Sequence, residues 1–244
     1  MAGREIYHVH TWRCKHGSSE PDESYIQKAI ELGADMITFT DHAPFPGNPF
    51  SNRMRYYELK EYITSLKELR NIHEEHIKVR IGLEIEYLPG YESYYEELKA
   101  NPDIEVLMIG QHHYELGSGK YSFQLSKEKL KIEDEYHALA EAQIAAMETK
   151  LFDVLAHPER TFRKAKSWDK DIEFLSNSII NAAMNNNVLL EYNLASAREY
   201  PELLSDFWNT VPAEASYIVG CDAHNTSEVL LMNADRRQKK STKR

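Results

Sequence analysis

The sequence predicts an α/β fold, an irregular TIM-like barrel of seven parallel strands in a single domain. Short apolar runs alternate with longer segments of helical periodicity, which indicates repeated strand–helix units. The runs are near-continuous, as in residues 106–110, and this is typical of parallel strands buried on both faces. No glycine-rich dinucleotide-binding loop follows the first run, which disfavours an open doubly wound sheet. Periodicity alone leaves that open sheet as the alternative.

The predicted elements cover most of the chain. Seven runs are predicted as strands, at residues 6–10, 36–40, 79–86, 106–111, 154–157, 188–192 and 217–221. Helices are predicted at residues 22–32, 57–75, 91–98, 127–150, 169–186 and 199–208. Every predicted strand except the last is followed by a helix, and the length of 244 residues fits one such barrel.

Composition excludes several classes of function. The formal charge is −10 and the sequence pI is near 5.6, so we expect no nucleic-acid partner. No apolar run reaches the ~18 residues of a membrane span, and residues 1–5 lack a signal-peptide pattern. Cys14 and Cys221 lie too far apart in sequence to indicate a disulfide framework. We therefore expect a cytoplasmic protein with no membrane partner, whose oligomeric state the sequence leaves open.

One domain is expected over residues 1–235, because the composition does not change along them. Residues 236–244 are basic and polar, and we expect this tail to be disordered. A role of the tail in binding nucleic acid or a membrane is the minority interpretation.

The positions of the histidines are more informative than their number, which is eleven. Histidines and carboxylates end or follow most of the predicted strands: His8 and His10, His42, Glu84 and Glu86, His112 and His113, His157, and Asp222 and His224. In a parallel barrel the C-terminal ends of all strands meet at one face, where functional groups collect. The histidines inside predicted helices, His73, His76 and His137, are expected to have ordinary structural or surface roles.

Spacing adds a second constraint, because side chains two residues apart on a strand point to the same side. His8 with His10 is one such pair, and Asp222 with His224 is another. Burying so many imidazoles and carboxylates together is costly unless each group finds a partner. Divalent cations provide that partner, and the imidazoles are too many for one tetrahedral ion. The sequence therefore predicts two or three divalent metal ions.

Several strings of residues occur in an order known from one family. They are His8-Val9-His10, Thr40-Asp41-His42, Gly82-Leu83-Glu84, Gly110-Gln111-His112-His113, Ala156-His157-Pro158 and Asp222-Ala223-His224. On these strings the sequence resembles the PHP (polymerase and histidinol phosphatase) superfamily over nearly the whole chain. Further strings resemble its histidinol-phosphate phosphatases: Cys14-Lys15-His16, Asp41-His42-Ala43-Pro44, Arg53-Met54-Arg55, Ile81-Gly82-Leu83-Glu84 and residues 193–198.

The resemblance implies a distorted (β/α)7 barrel with a trinuclear centre of zinc, manganese or iron. Carried over position by position, it implies these metal ligands: His8, His10, His16, His42, Glu84, His113, His157, Asp222 and His224. Glu84 is expected to bridge two of the ions. His113 is preferred to its neighbour His112 because it precedes the aromatic Tyr114.

Clustered divalent ions are suited to the hydrolysis of phosphate esters. The resemblance implies L-histidinol phosphate as the substrate, with L-histidinol and phosphate as products. We expect a hydroxide that bridges two ions to attack phosphorus while the third ion holds a phosphoryl oxygen. The expected catalytic residues are Asp222, His224 and Glu84, and Asp222 is the first choice for returning a proton to the leaving oxygen.

A phosphate dianion also favours arginine, whose planar guanidinium offers parallel donors. The arginines expected to bind the substrate are Arg160, Arg163, Arg198 and Arg53, with Arg198 as the first choice. The amine of the substrate is expected to meet an acidic residue such as Glu86 or Glu115.

Other functions compete with this interpretation. After His157 the chain reads Pro158-Glu159-Arg160, which resembles the PHP-type tyrosine phosphatases of bacterial capsule systems. A phosphoesterase acting on phosphotyrosine or on a nucleotide is therefore the main alternative. A metal-binding module without turnover comes next, although it predicts missing ligands and none is missing. An amidohydrolase ranks last, because it commonly has a lysine where Gln111 to His113 stand.

Overall fold

The fold is built on one parallel sheet. The computed structural model describes residues 4–117, 119–125 and 132–231. Its strands are β1 (Glu5–Val9), β2 (Met36–His42), β3 (Lys78–Ile85), β4 (Val106–Ile109), β5 (Glu115–Gly117), β6 (Lys120–Tyr121), β7 (Val154–Leu155), β8 (Leu189–Asn193) and β9 (Tyr217–Gly220). The parallel sheet has the order β1-β2-β3-β4-β7-β8-β9, while β5 and β6 form a separate antiparallel hairpin. Each connection within the sheet thus leads to the neighbouring strand.

Helices connect the strands of this sheet. They are α1 (Asp22–Glu31), α2 (Leu59–Ile72), α3 (Glu92–Ala100), α4 (Ile132–Glu148), α5 (Lys170–Asn185), α6 (Leu194–Glu199) and α7 (Pro201–Thr210). Helices α1 to α5 each precede one of the strands β2, β3, β4, β7 and β8, and both α6 and α7 precede β9. The alternation of strand and helix agrees with the predicted α/β class.

Hydrogen bonds between the first and the last strand close the sheet into a barrel. The backbone N–H of Cys221 donates to the carbonyl of Tyr7 at 2.8 Å, and that of His10 donates to the carbonyl of Ala223 at 2.9 Å. Val9 and Ala223 form a parallel bridge. The predicted (β/α)7 barrel is therefore confirmed, and the open doubly wound sheet is wrong.

The hydrophobic core has two layers. A small cluster fills the barrel interior and consists of Tyr7, Val106, Met108, Val154 and Ala156. A larger cluster lies between the strands and the surrounding helices. The interior cluster takes its residues from β1, β4 and the β7 region, while buried polar side chains such as His10, Glu84 and Asp222 lie near the C-terminal ends of the strands.

The predicted helix at residues 199–208 differs from the structure, which has two helices there. The side chain of Asn193 accepts a hydrogen bond from the backbone N–H of Ser196 and so starts α6. Pro201 then begins α7 after a break at Tyr200, because proline has no backbone N–H to continue the preceding helix. The hairpin of β5 and β6 was not predicted, since its strands are too short for a periodic pattern.

Two predictions concern parts of the chain outside the described residues. The basic tail at residues 236–244 lies there, as does the beginning of the helix predicted at residues 127–150. Among the helices that the structure describes, none has the length and apolar character needed to cross a bilayer.

A buried arginine joins the segment after β1 to helices α1 and α2. Arg13 is 1% exposed, and its guanidinium donates to the carboxylate of Asp22 on α1 at 2.7 Å. It also donates to both carboxylate oxygens of Glu61 on α2, at 2.8 Å each. Asp22 is itself only 5% exposed, so it depends on Arg13 for its counter-charge.

We predict that Arg13→Met destabilises the protein by about 3 kcal/mol, because it leaves the carboxylate of Asp22 buried without its counter-charge. Urea unfolding of chelator-treated protein measures this loss. The control is Lys67→Met, which removes a surface pair with Asp103 and should cost less than about 1 kcal/mol. Equal losses for the two variants would contradict the prediction.

Candidate metal centre

Imidazole and carboxylate side chains meet at the C-terminal mouth of the barrel. His8 lies in β1, His10 directly follows that strand, and His16 lies in the loop beyond it. The later strands contribute His42 at the end of β2, Glu84 in β3, His112 after β4, His157 after β7, and Asp222 and His224 after β9. Most of these side chains are buried, while His16 is exposed and His112 and His224 are half-buried. The strand ends thus bring residues far apart in sequence into one pocket.

Glu84 lies in the middle of this cluster and is 1% exposed. Its Oε1 atom lies 2.9 Å from Nε2 of His157, and its Oε2 atom lies 2.9 Å from Nδ1 of His42. Oε2 is also 3.5 Å from Nε2 of His10 and 3.6 Å from Nε2 of His8. The two carboxylate oxygens therefore face different groups of imidazoles.

The donor atoms converge at several neighbouring points. The sets His8–His10–Glu84, Glu84–His112–His157, His10–His42–His224 and Cys14–His16–His224 each place three donor atoms within 4.8 Å of one another. Neighbouring sets share Glu84, His10 or His224. Donor sets that share a residue lie side by side, as is needed to hold a cluster of adjacent metal ions. Cys14 was not among the predicted ligands, and burial raises the pKa of its thiol to about 11.

The outer nitrogen of most of these imidazoles has a fixed partner. Nδ1 of His8 lies 2.6 Å from the carboxylate of Glu191, and Nδ1 of His112 lies 2.9 Å from that of Glu86. The Nδ1 atoms of His16 and His224 face backbone carbonyls, those of Cys14 at 2.9 Å and Asp222 at 3.1 Å. Such partners keep the proton on Nδ1 and leave the lone pair of Nε2 for the pocket.

A buried nitrogen without a hydrogen-bond partner also indicates that the pocket is suited to a cation. Nε2 of His224 is buried and has no hydrogen-bond partner among the described residues. A buried nitrogen without a partner is rare unless it is reserved for a ligand. Histidine nitrogens with a few carboxylate oxygens are the donor set that Zn²⁺ and related ions prefer.

The charges around the pocket set the protonation of its groups. Burial would raise the pKa of Glu84, but the charges of His42 and His8 hold it well below its usual range. Burial lowers the pKa of His42 to about 4 and that of His224 to about 3. For His10, burial acts in the same direction, but Asp222 and Asp41 raise its pKa to about 9. Ionised Glu84 and the neutral imidazoles of His42 and His224 are thus in the form that binds metal, while His10 carries a proton that a metal ion would have to displace.

Three of the predicted ligands have a left-handed backbone, with positive φ values of 65° for His8, 30° for His157 and 52° for Asp222. These conformations are unfavourable for residues with a Cβ atom and occur most often at functional sites. At His8 the conformation coincides with a bulge, because Tyr7 pairs with Thr38 and Val9 with the next residue, Phe39. The bulge, and not a regular pleat, turns His8 toward His10. The Nε2 atoms of the two rings are 3.0 Å apart.

Two glycines leave room for the buried carboxylates. A Cβ atom on Gly110 would lie 2.1 Å from Oε1 of Glu84, and a Cβ atom on Gly220 would overlap Oε1 of Glu191. No larger residue can stand at either position unless the carboxylate moves. Gly110 and Gly220 end or follow strands adjacent to those that carry the carboxylates.

The structure brings His112, and not His113, into the cluster, which differs from the prediction. His112 shares a set of donor atoms with Glu84 and His157. The ring of His113 instead packs against Phe50 at 5.4 Å and Phe123 at 5.2 Å, between ring centroids. The neighbouring Tyr114, on which the prediction rested, is buried.

Sequence reasoning missed Glu191 as part of the site. Glu191 is fully buried and accepts hydrogen bonds from the backbone N–H of His157 at 2.8 Å and from Nδ2 of Asn193 at 2.9 Å, besides its contact with His8. A signal was present, because a lone carboxylate occurs inside the apolar run at residues 188–192. Buried carboxylates without a partner are rare, so this one pointed to a neighbour of opposite charge.

Of the predicted substrate-binding arginines, Arg160 lies at the cluster. Its Nη1 atom is 2.8 Å from Oδ2 of Asp222, and its Nε atom donates to Oγ of Ser196 at 2.8 Å. Nη2 donates to Oδ1 of Asn193 at 3.2 Å. The guanidinium is thus held by three partners at the edge of the pocket. Burial would raise the pKa of Asp222, but the charges of His8 and Arg160 hold it well below its usual range.

The other three arginines lie farther out. The guanidinium carbon of Arg53 is 3.8 Å from the ring centroid of Phe50, and its Nη2 atom is 3.5 Å from Glu86. Arg198 is exposed and lies 3.9 Å from Glu228, whose carboxylate accepts the backbone N–H of His224. Arg163 is exposed. Arg53 and Arg198 therefore reach residues that contact the cluster, and not the cluster itself.

The predicted helix histidines lie apart from this site. Nε2 of His73 is 3.0 Å from Glu23, and Nε2 of His137 is 2.7 Å from Asp171. His76 follows α2 in a turn. These contacts join helices to their neighbours.

We predict that Gly110→Ala weakens metal binding by about tenfold or more, because its Cβ atom would displace the carboxylate of Glu84. The measurement is the number of bound ions per chain and their dissociation constants. Gly82→Ala is the control, since its Cβ atom would crowd the backbone of Val106 and Phe39 and no side chain of the cluster. Gly82→Ala should lower stability and keep the ions. Equal loss of ions in both variants would contradict the prediction.

The chain matches a known family model and known relatives. The model described as PHP domain matches residues 7–195. A Deinococcus radiodurans protein named "Probable histidinol-phosphatase" is 28% identical, and the match covers 96% of this chain and 92% of that protein.

Two crystal structures have the same fold. A protein of Listeria monocytogenes superposes with a TM-score of 0.73 at 18% identity, covering 96% of this chain and 99% of that one. Histidinol phosphate phosphatase of Lactococcus lactis, complexed with zinc, L-histidinol and phosphate, superposes with a TM-score of 0.66 at 21% identity, covering 92% and 87%. At these identities the structural likeness shows the fold. Because the family model spans most of the chain, from the first strand to the helix after β8, the chain belongs to the PHP domain family.

Proposed function

We propose that this protein is a metal-dependent phosphatase that hydrolyses L-histidinol phosphate to L-histidinol and phosphate. The observation that carries the proposal is the convergence of imidazoles on Glu84 at the mouth of the barrel. Clustered divalent ions are suited to phosphate ester hydrolysis. The name of the Deinococcus radiodurans relative and the ligands of the Lactococcus lactis structure support histidinol phosphate as the substrate.

We infer that the pocket holds two or three divalent ions of zinc, manganese or iron. Glu84 would bridge two of them, since its oxygens face His42 on one side and His157 on the other. The other proposed ligands in these donor sets are His8, His10, His16, His42, His112, His157 and His224, with His112 in the place first predicted for His113. Asp222 is proposed with them, because its Oδ1 atom lies 3.4 Å from Nε2 of His10. Bound there, divalent ions lower the pKa of a water molecule and neutralise charge on the phosphoryl group.

Asp222 is the proposed proton carrier. Its Oδ2 atom is held by Arg160, while its Oδ1 atom faces Nε2 of His10 at 3.4 Å. Arg160 keeps the carboxylate ionised before the reaction, and its charge would make Asp222 a strong acid once Oδ1 has accepted a proton from the attacking water. Asp222 would then give that proton to the oxygen of the departing alcohol.

Arg160 is the proposed contact for the phosphate ester among the four predicted arginines. Its guanidinium carries five donors and lies at the edge of the pocket, beside Asp222. Arg53, Arg163 and Arg198 would contribute to a more distant part of the substrate site. A cytoplasmic location stays a prediction of the sequence.

We predict that chelator treatment abolishes hydrolysis of L-histidinol phosphate and that added zinc or manganese restores it. The assay measures phosphate release from histidinol phosphate, phosphotyrosine and nucleoside monophosphates by the same preparation. Histidinol phosphate should have the highest kcat/KM. A higher kcat/KM for phosphotyrosine or a nucleotide would support the proposed phosphatase activity but contradict histidinol phosphate as the substrate. Bound metal without hydrolysis of any ester would contradict the proposed function.

We predict that Arg160→Met lowers kcat/KM for histidinol phosphate by about a hundredfold or more, since it removes charge-assisted hydrogen bonds and the partner of Asp222. Steady-state kinetics on metal-loaded protein measures the loss. Arg4→Met is the control, because Arg4 forms an exposed pair with Asp35 beside the opposite end of β1. Unchanged kinetics for Arg160→Met would show that Arg160 has no part in the reaction.

A further inference from the structure

Glu86 is a buried carboxylate that the proposed reaction does not use. It follows the last residue of β3 and is 1% exposed. Oε2 accepts the backbone N–H of His112 at 2.7 Å and that of His113 at 3.0 Å. Oε1 lies 2.9 Å from Nδ1 of His112 and accepts a longer contact from Arg53 at 3.5 Å. Both oxygens are therefore occupied by donors from the segment after β4 and from Arg53.

These contacts fix both the backbone and the ring of His112. The two backbone bonds hold the segment after β4 against the end of β3. The bond to Nδ1 requires the proton on that nitrogen, because a carboxylate oxygen only accepts. The lone pair of His112 is then on Nε2, on the side of the ring away from Glu86.

Among the described residues, no carboxylate holds the ring of His113 in this way. Its backbone N–H also donates to Glu86, but its imidazole lies between Phe50 and Phe123. The same carboxylate thus holds both residues by the backbone and only one of them by the side chain. This difference separates two adjacent histidines that the sequence alone does not distinguish.

We propose that Glu86 is a positioning residue that makes His112, and not His113, the metal ligand contributed by the segment after β4. The proposal rests on the proposed metal-dependent function of the same site. Glu86 acts through His112 by holding its ring and its proton, so that Nε2 faces the pocket with Glu84 and His157.

Two other roles of Glu86 fit the contacts less well. Its oxygens are occupied and the residue is 1% exposed, so the amine of a substrate has no free oxygen to reach there. Among the described residues, the sets of converging donor atoms do not include Glu86. Arg53, 8% exposed and packed on Phe50, supplies positive charge beside the carboxylate.

The test is the variant Glu86→Gln, which keeps the size of the side chain and removes one acceptor oxygen. Chelator-treated protein is titrated with Co²⁺, and both the dissociation constants and the visible absorption of bound Co²⁺ are recorded. We expect one ion to bind 10–100-fold more weakly, the loss typical when the outer partner of a metal-bound histidine is removed, with altered absorption for that ion. Urea unfolding of the ion-free protein checks that the variant is folded.

Matched variants separate positioning from a general effect. Glu92→Gln is the control, because Glu92 accepts a backbone N–H in the same loop after β3, that of Gly90 at 3.0 Å, and is exposed. It should bind Co²⁺ as the wild type does. His112→Ala should lose the same ion as Glu86→Gln, and His113→Ala should retain it.

The double variant Glu86→Gln/His112→Ala gives the sharpest result. If Glu86 acts through His112, the double variant loses no more affinity than His112→Ala alone. Additive losses, normal Co²⁺ binding by Glu86→Gln, or loss of the ion in His113→Ala would each overturn the proposal. Wild-type protein that binds Co²⁺ but cleaves no histidinol phosphate would overturn the proposed function and leave the comparison of these variants valid.

Discussion

The need of buried carboxylates for positive charge governs the mouth of this barrel. Glu84, Asp222 and Glu191 lie within it with almost no contact with solvent. Several imidazoles surround them, and Arg160 adds one permanent charge. A carboxylate buried without compensation would unfold the site or take up a proton. Imidazoles can supply positive charge to the carboxylates either as protonated cations or by binding a metal cation. The proposed chemistry of the pocket depends on the bound metal cation.

The backbone has adapted to this demand at defined places. Gly110 and Gly220 leave space that a Cβ atom would fill, and the carboxylates of Glu84 and Glu191 occupy it. His8 and Asp222 have unfavourable left-handed conformations. Such strain persists only where the surrounding structure over-determines it, here through the hydrogen bonds that close β1 against the segment after β9. The closure of the barrel and the geometry of the site therefore depend on each other.

A second layer of groups orients the imidazoles. Glu191 holds His8 and the backbone of His157, while Glu86 holds the ring of His112. Backbone carbonyls do the same for His16 and His224. Each of these partners belongs to a different part of the chain or to a tight turn. These four rings, of His8, His16, His112 and His224, are thus preorganised, because each has its Nδ1 atom fixed away from the centre.

The sequence by itself determined the class of fold and the strands, because buried parallel strands have a continuous apolar pattern. It also determined the residues at the strand ends, because a polar residue that ends an apolar run stands out from that pattern. Most of the residues in the cluster were found in this way. Only the tertiary structure placed His112 rather than His113 beside Glu84 and His157, since both histidines follow β4 and their rings contact residues distant in sequence. It also decided that Arg160 meets Asp222 while Arg198 meets Glu228. Side-chain direction at a loop depends on partners distant in sequence, and a local pattern carries no information about them.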